Sequence, residues 1–533
     1  MIDAKEVEKE LDYLDNFEFK KPIELSFQPS EIKITFSPGM TCDEIFEEFR
    51  QQIFEASRVG ISVMLRQCDN EIRKNRKRGA FHNVHTPEPK KLALWCGDVD
   101  YQRCAYYDQE GNYRHLCDEV LGLDKWQRVS ISLLLRALRL AGEVSYDRVA
   151  VQIEKWTGVR RTHETYRRWV LRIGEFILEE EKRKCRAIFE NPSYQRDDYG
   201  TDPAFLFLEA DGCHIYMRLP KPLLTKLENE ATLNGKKKRK KRSSKKEVRL
   251  GLWFEGKCPR RGTEGNGQFE VTGKTYFGGL MKIEDFWETA AMLGLERYGL
   301  GPMTQVFGSG DGAEWIGPHF EDFQRAIFSL CRFHWKRQIF RAFSHDKDNR
   351  TEKGKRLIAL VESSDKDQAF SFIDEEHNAC EKRGSKEKLM ELKNYLLNQW
   401  DYIQNYCELK RILEKIDPAL ARVGVIEGHI YQVLYLRFES RGGCWVEKGL
   451  NALFRVLTAN LNGVLDSTLR RSGWEAKANI TVTLEKEKSP KKRTNKDLKC
   501  KQGVFPVIQR PVSPLAETLK QIAHPEYKSK SAA

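Results

Sequence analysis

Asp211 closes the apolar run Phe205-Leu206-Phe207-Leu208-Glu209-Ala210, and Gly212 follows it at once. A glycine there lets another backbone or a phosphate come close. Asp311 stands after Gly308-Ser309-Gly310 and is likewise followed by a glycine, Gly312. Both positions read as strand ends, where loops on a rigid scaffold carry chemistry. Glu427 belongs instead to a helical stretch. Ile430, Leu434 and Phe438 follow it at three, seven and eleven residues, so the acid falls in line with an apolar stripe. An ionised glutamate on a packing face is costly unless it is paired or holds a cation. A metal is one solution; an ion pair with Arg437 is the other. Three oxygen donors without a His/Cys cage suit Mg²⁺ or Mn²⁺. Two such ions about 3.5–4 Å apart activate a nucleophilic oxygen and stabilise the leaving oxygen in phosphodiester chemistry. Periodicity alone does not bring three acids together, and among 78 Asp and Glu residues Glu209, Glu314 and Asp322 fit the pattern as well.

Acids of this kind need a sheet to hold them. From 204 onward, 204–212, 213–220 and 247–256 read as three successive strands, and 282–297 as a helix. A short strand ends at Asp311. The apolar stretch 326–334 reads as another strand running into a basic helix, 350–420 is charged and helical, and 424–460 is amphipathic and helical. Three strands, helix, strand, helix, strand, helix is the order of an RNase H-like fold, a mixed sheet flanked by helices. The fold class expected is therefore α+β and multidomain, with an all-helical insertion and an N-terminal helix-turn-helix region.

Upstream, 1–90 mixes short acidic helical stretches with the basic patch Arg73-Lys74-Asn75-Arg76-Lys77-Arg78. Residues 92–116 alternate around a turn at 109–112 and read as a β-hairpin; 126–142 reads as an apolar helix. Ser145 caps a helix carrying Val149, Ile153 and Trp156, Gly158 breaks it, and Thr162 caps a second helix whose Trp169, Val170 and Ile173 face the first. This is a helix-turn-helix pattern. Arg160, Arg161, His163, Arg167 and Arg168, placed on the second helix, offer donors to phosphates or guanine edges; the plainer reading is a helical hairpin with a solvated basic face. The run Lys236, Lys237, Lys238, Arg239, Lys240, Lys241, Arg242 continues to Lys246 between two strands, so it reads as a basic loop gripping phosphate backbone or as a localisation signal. The domain map expected is 1–90 charged and helical, 91–185 hairpin and helix-turn-helix, 200–334 first part of the catalytic domain, 335–423 helical insertion, 424–480 its completion, and 481–533 a basic tail.

A chain of 533 residues exceeds one core, and 40% hydrophobic with 32% charged residues suits a folded protein with charged arms. A net charge of +13 favours polyanionic partners. No apolar run is long enough to span a membrane, and the N-terminus lacks a signal-peptide layout. The thirteen cysteines contain no C-x-x-C pair and read as reduced thiols. A zinc site from Cys96, Cys104, Cys117 and His82 or His85 has unfavourable spacing.

The stretches around Asp211, Asp311, Cys331-Arg332-Phe333-His334 and Glu427, with the following Trp445 element, resemble the ISLre-type insertion-sequence transposases of bacteria. That family is related to the Mutator-like group, and the resemblance covers about 60 to 460. It implies that Asp211, Asp311 and Glu427 are the catalytic, metal-binding acids of a DDE-type, RNase H-like enzyme using two Mg²⁺ or Mn²⁺ ions. His429 and Arg437 match the family's positions after the glutamate, and Trp445, Lys448 and Gly449 its Trp-x-x-Lys-Gly element, implied to contact DNA. Cys331 and His334 match a Cys/Asp-x-x-His signature where closer relatives carry Asp-Pro-Phe-His, which leaves Cys331 without a clear ligand role. The family's activity is hydrolysis at the terminal inverted repeats of an element and joining of the 3′-hydroxyl ends to target DNA. Double-stranded DNA, a homodimer or higher oligomer, and a bacterial cytoplasmic, nucleoid-associated location are implied. The alternatives are an RNase H-like structure-specific nuclease and a domesticated DNA-binding protein without transposition activity.

Overall fold

The computed structural model describes residues 40–76, 80–123, 127–190, 203–218, 243–260, 268–417, 420, 424–440 and 442–474. The chain divides into two units, 1–483 and 484–533, and every described residue belongs to the first. The basic tail and Lys236 to Arg242 lie outside the described residues.

Among the described residues the N-terminal part begins with a helix of 34 residues, α1 (Cys42–Asn75), longer than the short stretches expected within 1–90. A capping box starts it: Thr41 Oγ1 accepts the Glu44 N–H at 3.3 Å, and the Glu44 carboxylate accepts the Thr41 N–H at 2.7 Å. Strands β1 (His82–Leu94) and β2 (Gly97–Tyr107) form the hairpin, and β3 (Tyr113–Arg114) adds a short third strand beyond the 109–112 turn. The hairpin thus starts ten residues earlier than the alternation at 92 suggested. Pro87 and Pro89 hide it, and β1 tolerates them because it is an edge strand with a register shift between Val84 and Glu88. Cys104 and Cys117 are buried free thiols packed with Cys68 and Tyr106. Among the described residues no group of three metal-ligating side chains forms there, so the zinc arrangement is not built.

After the short α2 (Leu116–Val120) come α3 (Ile131–Glu143), α4 (Tyr146–Thr157) and α5 (His163–Phe189). Ser145 caps α4, and Gly158 ends it in the left-handed conformation at φ 73°. Val149 and Ile153 of α4 bury against Val170 and Ile173 of α5. Trp156 stays exposed rather than joining that contact. Because α5 begins at His163, Arg160 and Arg161 lie in the turn and not on the second helix.

The central sheet has the order β10-β9-β4-β5-β8. Its strands are β4 (Phe205–Arg218), β5 (Ser243–Phe254), β8 (Thr275–Gly279), β9 (Gln305–Gly310) and β10 (Ala326–Leu330), with the β6–β7 hairpin (Gly256–Pro259, Phe269–Thr272) inserted beside it. β4 pairs antiparallel with β5 and β5 with β8, whereas β9 and β10 run parallel to β4. The two strands expected before and after Gly212 are one continuous strand, since Gly212 pairs in register with Arg249. The third strand is β8, whose five residues are too short to show alternation. Along β4, Phe207, Cys213, Ile215 and Met217 enter one core while Leu206, Leu208 and Ala210 enter another, so the period of two places Glu209 and Asp211 on the first face.

Helix α6 (Ile283–Tyr298) covers the second face with Phe286, Trp287 and Ala290. Helices α7 (Arg332–Ala342), α8 (Arg350–Glu362), α9 (Lys366–Ala379) and α10 (Arg383–Ile416) form a helical body with its own core around Trp335, Leu357, Phe372 and Leu396. The first face is closed by α11 (Ile426–Ile430), which continues as a π-helix over Tyr431–Glu439, and by α12 (Glu447–Leu461) and α13 (Leu465–Leu469). This face shares one core with α3, α4 and α5. Gly174 on α5 lets the helices approach closely: a Cβ there would stand 2.4 Å from Ala452 Cα on α12.

Candidate metal centre

The sheet register sets up the site. Ala210 of β4 lies opposite Gly310 of β9, so Asp211 and Asp311 are the next residues on two aligned parallel neighbours. Asp211 is nearly buried and accepts the Gly212 N–H at 2.6 Å. Asp311, half-buried, accepts the Ala313 N–H at 2.9 Å. β10 continues the parallel ladder one step beyond Leu330, where the Cys331 N–H donates to the Gly310 carbonyl at 2.7 Å. The strand stops there. His334 therefore sits in the first turn of α7 rather than in the expected strand, and its Nε2 meets Glu427 Oε1.

Ligand atoms of Asp211, His334 and Glu427 all lie within 4.8 Å of one another, the only such grouping among the described residues. Asp311 is outside that grouping but acts on it through its charge. Burial, then Asp311, then Glu427 push the Asp211 carboxyl up to about 7. Burial works to lower the His334 pKa, but its hydrogen bond to Glu427 and the charges of Glu427, Asp211 and Asp311 outweigh this and leave it raised. A carboxyl forced toward its neutral form beside other carboxylates is what a cation relieves. Two carboxylates and one imidazole make a donor set for a hard-to-borderline divalent ion, and the imidazole weights it toward Mn²⁺ relative to an all-oxygen set.

The helix carrying Glu427 departs from the expected stripe. Only 426–430 is α-helical; the wider π-turns that follow bury Val433, Leu434 and Phe438 while Glu427 keeps 35% of its side chain exposed at the site. Single π segments of this kind concentrate at functional sites. Arg437 does not pair across to the acid: its Nε donates to the Ala141 carbonyl at 2.9 Å, and its guanidinium lies 5.0 Å from the Trp445 ring centre. His429 turns to Tyr276 on β8, with Nδ1 2.9 Å from the hydroxyl, and burial drives its pKa down to about 4. Trp445 donates from Nε1 to the Phe438 carbonyl at 2.9 Å, and its backbone bridges to Tyr216 and Arg218 of β4, a fixed position with little left to offer a ligand. Lys448 is exposed and paired with Glu175. Cys331 is buried, which raises its thiol to about 12, and it is not part of the Asp211, His334 and Glu427 grouping.

The basic residues of the helix-turn-helix are individually paired: Arg160 with Glu154, Arg161 with Asp98, His163 with Asp147, and Arg167 and Arg168 with Glu164. Arg161 is clamped by both Asp98 oxygens at 2.7 and 3.1 Å, whereas Arg160 and Arg168 remain 85% and 75% exposed. Two features were not assigned a role from the sequence. Glu209 is buried and accepts backbone N–H groups ahead of Glu427; only its spacing of two from Asp211 hinted that both share a face. Exposed aromatics flank the centre: Phe333, whose ring centre is 5.5 Å from that of His334, and the stacked pair Tyr431 and Tyr435, with centres 5.3 Å apart.

Comparison with known proteins gives the chain a family. A family model described as "Uncharacterised protein family (UPF0236)" matches residues 36–478. The chain belongs to the UPF0236 family. A UPF0236 protein of Caldanaerobacter subterraneus subsp. tengcongensis is 24% identical over 445 residues, covering 83% of each chain. Another from the same organism, also 24% identical over 445 residues (83% of this chain, 82% of that one), is named by eleven gene designations at once. A third UPF0236 protein, of Streptococcus gallolyticus and described as lying in the vanSb 3′ region, is 24% identical over 412 residues, 75% of this chain and 80% of its own. Among the described residues no helix is long and apolar enough to cross a membrane.

Proposed function

We propose that this chain is a metal-dependent DNA transposase with an RNase H-like catalytic domain, and that Asp211, Asp311 and Glu427 are its catalytic acids. The observation that carries the reading is the meeting of Asp211 in mid-β4, Glu427 at the start of α11 and His334 in the first turn of α7, with Asp311 just past the end of the adjacent strand β9. The sheet supports it: antiparallel β4, β5 and β8 extended by parallel β9 and β10 form the kind of mixed, helix-flanked sheet expected of an RNase H-like core. A relative named by eleven gene designations in one organism supports it from a different direction, because an element that copies itself leaves such repeats.

Divalent ions held there, Mg²⁺ or Mn²⁺, would supply an activated water or hydroxyl oxygen and stabilise the leaving oxygen at phosphorus. The chain's own groups do the rest. Asp211 gives up its proton to become a ligand at neutral pH, Asp311 supplies the neighbouring charge, and His334 holds the Glu427 carboxylate at the mouth. Phe333, Tyr431 and Tyr435 present ring faces on which bases stack, and the exposed Arg160 and Arg168 of the helix-turn-helix reach phosphates. The test is cleavage of labelled duplex carrying the gene's native flanks, with Mg²⁺, Mn²⁺ or chelator, for wild type and Asp211→Asn. Metal-dependent nicking at a repeat boundary followed by joining to a second duplex supports the proposal. Nicking without joining would make the chain a nuclease, and binding without nicking a DNA-binding protein alone.

A further inference from the structure

Glu209 is among the most deeply buried acids of the described chain, 1% exposed, and it lies on the same face of β4 as Asp211. Its two oxygens are used separately. Oε1 accepts the Gly424 N–H and Oε2 the Ile426 N–H, both at 2.8 Å, across more than 200 residues of sequence. Those two amides frame the turn that starts α11, and Glu427 is the next residue. The first N–H groups of a helix have no partner within it, and a carboxylate both satisfies them and complements the helix dipole.

The same turn is held from its other side. Gly424 sits at φ 92°, in the left-handed region, and a Cβ on it would stand 3.1 Å from Cys331 Sγ. Cys331 is the residue whose N–H binds the Gly310 carbonyl just ahead of Asp311, and it precedes the α7 turn carrying His334. One buried clamp therefore touches the segment behind each member of the centre.

We propose that Glu209 is a positioning residue: by gripping the Gly424–Ile426 turn, with Cys331 packed behind it, Glu209 fixes where the Glu427 carboxylate meets Asp211 and His334. The proposal deepens the metal-centre reading and rests on it for its catalytic consequence, but the grip itself is testable without activity. It also gives the cysteine of the Cys-x-x-His stretch a part other than ligation, that of a small buried side chain against a glycine turn.

Four measurements on the full chain decide it: amide hydrogen exchange, Mn²⁺ affinity, cleavage kinetics and melting temperature. In wild type, hydrogen exchange at the Gly424 and Ile426 amides is expected to be as slow as in β4; fast exchange at both overturns the grip whatever the variants do. In Glu209→Gln, which keeps the volume but turns one acceptor into an N–H donor, those amides are expected to exchange about tenfold or more faster. Mn²⁺ affinity, read by calorimetry, should fall about 10- to 100-fold, the range for groups that orient ligands. Cleavage kcat should fall with it while KM for DNA and the melting temperature stay near wild type. Glu209→Ala should go further in the same direction. A lowered melting temperature with Mn²⁺ affinity and kcat preserved would make Glu209 purely structural and overturn the proposal. A wild type that binds Mn²⁺ and protects both amides yet cuts no DNA would leave the positioning standing and remove the transposase reading instead.

Discussion

Arg437 donates its Nε–H to the carbonyl of Ala141, 2.9 Å away and 296 residues earlier in the chain. The bond joins the π-helix behind Glu427 to α3, the helix ahead of the helix-turn-helix. It also answers the question the sequence left open about Glu427, whose two possible partners were a metal and Arg437. Arg437 is buried and committed elsewhere, and the acid faces His334, Asp211 and the opening of the centre. Burying a guanidinium costs several kcal/mol unless it is well paired. Arg437→Met, which keeps the bulk, is expected to lower stability by about 1–3 kcal/mol through the orphaned carbonyl and the lost ring contact with Trp445. Denaturant melts of the two proteins measure it, and equal midpoints would mean the bond to Ala141 contributes nothing.

Replacing the acids should separate binding from chemistry. Asp211→Asn, Asp311→Asn and Glu427→Gln keep shape while removing charge, and each is expected to reduce cleavage about 10²- to 10³-fold or more. DNA affinity should change little. A variant that still cuts at the wild-type rate takes its residue out of the centre, and Asp311, outside the tight grouping, is the most exposed to that outcome.

His334 should decide metal preference. With its imidazole beside Glu427 and Asp211, the wild type is expected to reach half-maximal cleavage at lower Mn²⁺ than Mg²⁺. His334→Ala leaves an oxygen-only set and should narrow that gap about tenfold. An unchanged ratio would confine His334 to holding Glu427 in place.

Acidity gives a test with neither DNA nor metal. The Asp211 carboxyl, held at about 7 in the fold against an ordinary 3.8, keeps a proton that the unfolded chain has already released between those values. Stability tied to that proton is complete below about pH 4 and is lost as pH rises through about 7. The melting temperature of metal-free protein is therefore expected to fall between about pH 4 and pH 7, and to fall less in Asp211→Asn, where no proton can leave. Parallel curves for the two proteins would contradict the crowding of Asp211 by Asp311 and Glu427.

Three of the basic residues near the helix-turn-helix should behave as two groups. Arg161, 23% exposed and clamped by Asp98, is expected to cost on the order of 1 kcal/mol of stability when changed to Ala. Arg160 and Arg168, far more exposed, should leave stability alone and each reduce the salt dependence of DNA binding by about one ion. A salt slope that moves only with Arg161 would reverse the assignment.

The acids were legible where strands and glycines marked them. Asp311 was rightly read at a strand end and Asp211 was not, since β4 runs on through Gly212 to Arg218; alternation and a following glycine are local signals, and sheet register then placed the two acids side by side. Glu427 was legible as a helical acid, but its surroundings were misjudged. The 3.6-residue stripe through Ile430, Leu434 and Phe438 assumes an α-helix, and the segment widens into π-turns. Glu209 was one acid among several because its partners are backbone amides, which leave no trace in residue identity. Pro87 and Pro89 concealed β1 by a rule that holds for central strands and not for an edge, and the five residues of β8 fell below the length at which a period shows.

Gly174 and Ala452 meet so closely that α5 and α12 have no room to slide. If the chain reads one stretch of duplex and cuts another, as proposed, this close packing would act as a ruler, setting in protein the count of base pairs from the recognised sequence to the broken bond. Duplex turns once in about 10–10.5 base pairs, so five inserted pairs would carry the scissile bond to the far side of the DNA, while ten would restore its facing but not its reach.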